Sequence, residues 1–152
     1  MSDPSKTRRR WLDTVDAMTT SETRTRHLSI HVDRPTREVY DYAADPSHLP
    51  EWAAGLGGSI EEIDGQWIAD SPMGRVVVAL APENDYGVLD HDVTLPSGET
   101  VHNPVRVIAD GTGCEVVFTL RRRPDMSADE FRRDAAAVSA DLATLKRLME
   151  DR

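Results

Sequence analysis

A chain of 152 residues with 39% apolar composition suits one domain plus a tail rather than two domains. Its formal net charge of -9 argues against nucleic acid as a partner, because a phosphate backbone is bound through clustered Lys and Arg. Cys114 is the only cysteine, which excludes an intrachain disulfide, and no apolar run reaches the length of a membrane span or follows the basic start as a signal-peptide core, so a cytoplasmic location is expected.

Residues 1–23 read as a flexible tail in which Ser, Thr, Asp and Lys dominate, with Arg8, Arg9 and Arg10 as a local basic cluster. Trp11, Leu12, Val15 and Met18 have the spacing of one or two turns of amphipathic helix. From Arg24 the pattern becomes alternating. Leu28, Ile30 and Val32 share one face and His27, Ser29 and His31 the other, as in a half-buried strand. Asp33 to Thr36 ends it and opens a short helix over 37–44, whose Val39, Tyr40 and Ala43 face inward. A second short helix is expected over 47–54, interrupted by Pro50 and ending near Trp52, ahead of a flexible Gly-rich stretch from Gly55 to Gly58.

Beyond Gly58, turn chemistry recurs at Asp64-Gly65, Ser71 to Gly74, Pro82 to Gly87, Pro96 to Gly98 and Asp110 to Gly113. These turns separate six apolar-rich segments, over 59–63, 66–70, 75–81, 88–95, 99–109 and 114–123, which pair antiparallel as consecutive hairpins. A three-residue loop at Pro96 to Gly98 sets Val93 opposite Val101, His91 opposite Asn103 and Leu89 opposite Val105. A two-residue turn at Gly111-Thr112 sets Val107 opposite Val116, Val105 opposite Phe118 and Asn103 opposite Leu120. Apolar then meets apolar in both hairpins, which supports the registers. His91 and Asn103 become neighbouring polar groups on an otherwise apolar inner face.

The last segment, 127–150, is the longest periodic stretch of the chain. Ser127 and Glu130 have capping-box spacing, the first turn is acidic, and Lys146 and Arg147 lie in the last turns. Phe131, Ala135, Val138, Leu142, Leu145 and Met149 form one stripe at helical spacing. A helix of this length runs about 36 Å and needs a broad partner surface.

The order of elements, the strand followed by Asp33 to Val39, the segment Asp45 to Trp52 and the closing run from Val117 to Leu148 resemble the SRPBCC superfamily. This is the START-related, helix-grip group that includes polyketide cyclase/dehydrase-like proteins. The resemblance covers the domain read over 24–151 and implies an α+β fold: a curved seven-stranded antiparallel sheet around a long C-terminal helix, with two short helices after the first strand. It also implies a cavity between sheet and helix that takes a small hydrophobic or amphipathic ligand. The positions matching the group's pattern are Trp52 near the mouth, the inward apolar strand residues Trp67, Val78, Val93, Val105, Phe118 and Leu120, and the helix residues Phe131, Ala135 and Leu142; the hairpin registers add His91 and Asn103 as candidate ligand-binding residues. The group has no universal catalytic motif, so no catalytic residue carries over.

The remaining constellations are weak. His27 and His31 share a strand face but stand four residues apart, roughly 13 Å at the usual rise, too far to chelate together. His91 and His102 point to opposite faces, and Cys114 has no partner at ligand spacing, so neither a metal nor a cofactor is expected. No serine sits in a nucleophile elbow and no Gly-rich loop has the form of a phosphate cradle. Arg121, Arg122 and Arg123 read as a solvated strand end, with Arg122 alone on the inward parity. Trp67 either fills a core gap or forms a cavity wall. His91 and Asn103 either bond each other or a buried water, or orient a ligand carbonyl or hydroxyl. Three function classes remain: a small-molecule carrier or sensor, which is the first choice; a cyclase/dehydrase-like enzyme; and a protein-interaction module of the chaperone-activator kind. The oligomeric state stays open.

Overall fold

The computed structural model describes residues 24–56 and 58–152. The tail over 1–23, with the amphipathic turn expected at Trp11 to Met18, lies outside the described residues. The chain runs β1 (Thr25–Val32), α1 (Thr36–Ala43), a 3-10 turn (Pro46–His48), the single-turn α2 (Leu49–Trp52) and a second 3-10 turn (Ala54–Leu56). Then follow β2 (Ile60–Ile63), β3 (Gln66–Ser71), β4 (Gly74–Leu80), β5 (His91–Thr94), β6 (Thr100–Asn103), β7 (Val105–Asp110), β8 (Gly113–Arg121) and α3 (Ala128–Glu150). The expected second helix over 47–54 is thus a 3-10 turn feeding one turn of α-helix, with Pro50 in its first turn, where a missing N–H leaves nothing unpaired. Among the described residues no helix is long and apolar enough to cross a membrane.

The α+β class and the order of elements are as expected, but the single seven-stranded sheet is not. There are two antiparallel sheets, one of three strands in the order β1-β8-β7 and one of five in the order β2-β3-β4-β5-β6. The reason is Pro104, which has no N–H to give and splits the expected strand over 99–109 into β6 and β7. The facing segment is interrupted at Asp90. The Leu89 N–H donates to the Val105 carbonyl at 2.8 Å, but the Val105 N–H donates to Asp90 Oδ1 at 2.9 Å instead of returning to Leu89. Arg106 holds that carboxylate with two further bonds, at 2.9 and 2.7 Å. The two sheets meet at this point through the Leu89–Val105 and Val107–Gly87 backbone bonds.

The hairpin registers follow the turns. His91 pairs with Asn103, Val93 with Val101, Val105 with Phe118 and Val107 with Val116. The expected pairing of Asn103 with Leu120 is absent, because the β7–β8 ladder begins only after Pro104, at Val105. On α3, Ser127 caps by accepting the Glu130 N–H at 3.1 Å, and Phe131, Ala135, Leu142, Leu145 and Met149 are buried with Val138 partly so. The far end of α3 is tied down by Arg34, whose Nε donates to the Met149 carbonyl at 3.0 Å.

The core divides into two clusters. The larger contains Val76, Val78, Val105, Val107, Val116, Leu142, Leu145 and Met149 with α1 and α2 residues, and the smaller holds Leu120, Met126, Phe131 and Ala135. Leu28, Phe118 and Val138 touch both clusters and are themselves only partly buried.

Candidate functional site

The interval between the two clusters is lined by the partly exposed Leu28, Phe118 and Val138. Alternation along a strand sends every second side chain inward, and residues opposed in an antiparallel ladder share a face. Trp67 is opposed to Val78, which is opposed to Val93, and His91 stands in line with Leu80 and Asn103. Val78 and Val93 are buried, so Trp67, His91 and Asn103 also point inward by parity; yet each remains partly exposed, as does Phe118. The His91 ring meets Phe118 edge-on, 6.1 Å between centroids, which places this polar pair beside the Leu28–Phe118–Val138 interval.

His91 is held in one tautomer by the interruption at Asp90. Because Asp90 captures the Val105 N–H, the Leu89 carbonyl is left for the His91 ring, whose Nδ1 approaches it at 3.2 Å. A carbonyl oxygen only accepts, so Nδ1 carries the proton and Nε2 is the acceptor. Burial is the main influence on the ring and pushes its pKa below the ordinary histidine value, partly opposed by the bond to Leu89. The group at neutral pH is therefore an uncharged imidazole with a basic nitrogen that has no protein partner among the described residues. The Asn103 side-chain amide has none there either. The two do not bond each other, although their strands pair them.

Two further polar groups lie in α2 and α3. The Trp52 Nε1–H is buried without a hydrogen-bond partner, an arrangement that ordinarily destabilises by about 1–3 kcal/mol. Asp141, beside the buried stripe of α3, accepts the Ala54 N–H at 3.2 Å, while burial drives its pKa upward. Arg122, the inward-parity arginine, is tied to the loop before α3 through its Nε and the Met126 carbonyl, at 2.9 Å.

The expected lining residues therefore fall into two sets. Val78, Val93, Val105, Leu142 and Trp52 belong to the larger cluster, and Leu120, Phe131 and Ala135 to the smaller. Trp67, His91, Asn103 and Phe118 are the four that retain accessible surface. Sequence reasoning passed over Leu28 and Asp141 as site residues. Leu28 was visible as the first inward position of β1, and Asp141 as the acidic residue adjoining Leu142 at the centre of the stripe. A separate shallow hollow, lined by Asp129, Arg132, Arg133 and Ala136, lies on exposed residues of α3 away from this interval.

No family model matches the sequence, and no curated protein matches it. Solved structures do. A START superfamily protein from Mycobacterium smegmatis superposes with a TM-score of 0.62 at 12% identity, over 85% of this chain and 99% of the other. The Aha1 dimer structure from Colwellia psychrerythraea gives 0.67 at 11%, over 84% and 97%. Truncated norcoclaurine synthase from Thalictrum flavum gives 0.58 at 12%, over 82% and 91%. The chain shares the fold of these structures. Identities this low carry the architecture and nothing finer, and the names of the three structures already differ in kind.

Proposed function

We propose that this SRPBCC-fold chain binds a small apolar or amphipathic molecule between the sheets and α3, as a carrier or sensor. The observation that carries the reading is the inward-facing but incompletely buried set of Trp67, His91, Asn103 and Phe118, in which His91 Nε2 and the Asn103 amide have no protein partner among the described residues. A filled core of this fold would bury or pair them. The partners supply a definite chemistry. His91 Nε2 accepts from a ligand hydroxyl, the Asn103 amide both gives and takes a hydrogen bond, and Phe118, Leu28 and Val138 offer apolar contact. These partners are uncharged, so a neutral ring compound bearing a hydroxyl or carbonyl fits better than an anionic chain.

A second reading is favoured by the state of His91. An uncharged imidazole on an apolar wall is a competent general base, so a polyketide cyclase/dehydrase-like enzyme would use the same place to orient a flexible substrate and move its proton. Native mass spectrometry of the purified chain, followed by a melting-temperature screen of neutral hydroxylated ring compounds and fatty acids, tests the binding reading. Retained small-molecule mass or saturable stabilisation by the ring compounds is the expected result. No retained mass and no stabilisation by either series would overturn it, while conversion of a bound compound would favour the enzyme.

A further inference from the structure

The outer face of the three-stranded sheet carries a second group of donors. His31 and Glu115 are directly opposed in the β1–β8 ladder, and Asp110 closes β7 opposite Gly113 of β8. Val32, Val107 and Val116 point into the core, so alternation turns His31, Asp110 and Glu115 outward together. An imidazole nitrogen and one oxygen from each carboxylate all lie within 4.8 Å of one another. His31 Nδ1 is 3.3 Å from Asp110 Oδ2, and these two side chains are 46% and 63% exposed, within reach of solvent ions.

Two features set this group apart from a loose surface cluster. Each donor stands on a hydrogen-bonded strand, so closing the three onto one ion needs side-chain rotation and no ordering of a loop. The second is Gly113. A Cβ there would come within 2.5 Å of the Val32 carbonyl oxygen and 3.0 Å of His31 Nε2, so the absence of a side chain leaves the space beside which the His31 ring lies. Gly113 is not among the glycines with positive φ, so the conformation itself does not demand glycine. Lys146 donates to the His31 carbonyl at 2.8 Å and pairs with Glu150 at 2.7 Å, which offsets its charge.

We propose that His31, Asp110 and Glu115 form a binding site for one divalent transition-metal ion, with Zn2+ as the fitting probe. One imidazole nitrogen and two carboxylate oxygens are a donor set that Zn2+ takes at about 2.0–2.2 Å, with water completing the shell. The ion ties β1, β7 and β8 together across their solvent face. It leaves the inner face and its polar pair untouched, so this site stands or falls independently of the small-molecule reading.

The test is calorimetric titration of Zn2+ into the full, untagged, chelator-treated chain, with parallel melting curves. One ion per chain, saturable, with a rise in melting temperature is expected. His31→Ala should weaken uptake at least about tenfold, and Asp110→Asn and Glu115→Gln should each weaken it clearly. His102→Ala removes another histidine–aspartate pair, His102 with Asp92 at 2.6 Å, and should leave the titration unchanged. Should His31→Ala fold poorly, the Asp110→Asn, Glu115→Gln double variant decides in its place. Absence of saturable uptake, or uptake of equal affinity in the His31 or double variant, overturns the proposal.

Discussion

The two halves of the inner face share β8 and the long helix α3, yet they are finished differently. Around Val76, Val105, Val116, Leu142 and Leu145 the side chains are at most 2% exposed. Around Leu28, Trp67, His91, Asn103, Phe118 and Val138 the inward positions keep accessible surface, and His91 Nε2 and the Asn103 amide have no protein partner among the described residues. Packing density in the first region is what holds the domain together, since close contacts and burial supply most of the stabilisation. The second region forgoes part of that gain. On the proposed reading, this difference separates what is there for stability from what is there for a ligand.

The comparison can be broken most decisively by truncation. Leu142→Ala should destabilise by about 2–5 kcal/mol through lost burial and a residual cavity. Phe118→Ala removes a larger side chain but from a half-sealed place, and about 1–2 kcal/mol is expected. Denaturant unfolding of both variants checks the order; a Phe118 loss equal to that of Leu142 would mean that the two regions are packed alike.

Asp90→Ala comes next, with an expected loss of about 1–3 kcal/mol as the Val105 N–H and the Arg106 guanidinium lose their acceptor. That variant also frees the Val105 N–H to return to the Leu89 carbonyl, so the His91 ring should lose its fixed tautomer, visible as a changed imidazole nitrogen shift by NMR.

The pH dependence is smaller and has a definite sign. The folded His91 pKa lies below the unfolded value of 6.5 because burial disfavours the cation. As pH falls below about 6.5 the unfolded chain takes up a proton that the folded ring refuses, so stability declines through that window until the folded ring also protonates. His91→Gln should flatten this part of the melting-temperature profile. Asp141 has the opposite sense for a carboxyl: its pKa is raised by burial, so its ionisation weakens the fold as pH rises above the unfolded value of 3.8. Asp141→Asn should therefore raise the melting temperature at pH 7, while Arg133→Ala on the exposed face of α3 should change stability by no more than about 0.5 kcal/mol.

What was legible in the sequence was local. Hairpin registers follow from turns, so His91 opposite Asn103 and Val105 opposite Phe118 were accessible from Pro96 to Gly98 and Gly111-Thr112. The helix stripe followed from spacing alone. Pro104 was also in plain view, and its missing N–H was reason enough to divide the strand over 99–109. The capture of the Val105 N–H by Asp90 was not accessible, because a side chain replaces a backbone acceptor across fifteen positions of chain. Nor was the β1–β8 register, which no turn joins, and without it His31 could only be compared with other histidines and not with Glu115.

The central claim is that His91 and Asn103 are kept on the inner face for a ligand. The most direct measurement compares the wild-type chain with the His91→Phe, Asn103→Leu double variant, following both stability and the affinity for ring compounds that stabilise the wild type. The account predicts that the variant folds but that affinity drops at least about five- to thirtyfold, the worth of one lost hydrogen bond of 1–2 kcal/mol. If the variant is more stable and binds the same compounds as before, the pair is internal packing and the assignment of this site is wrong.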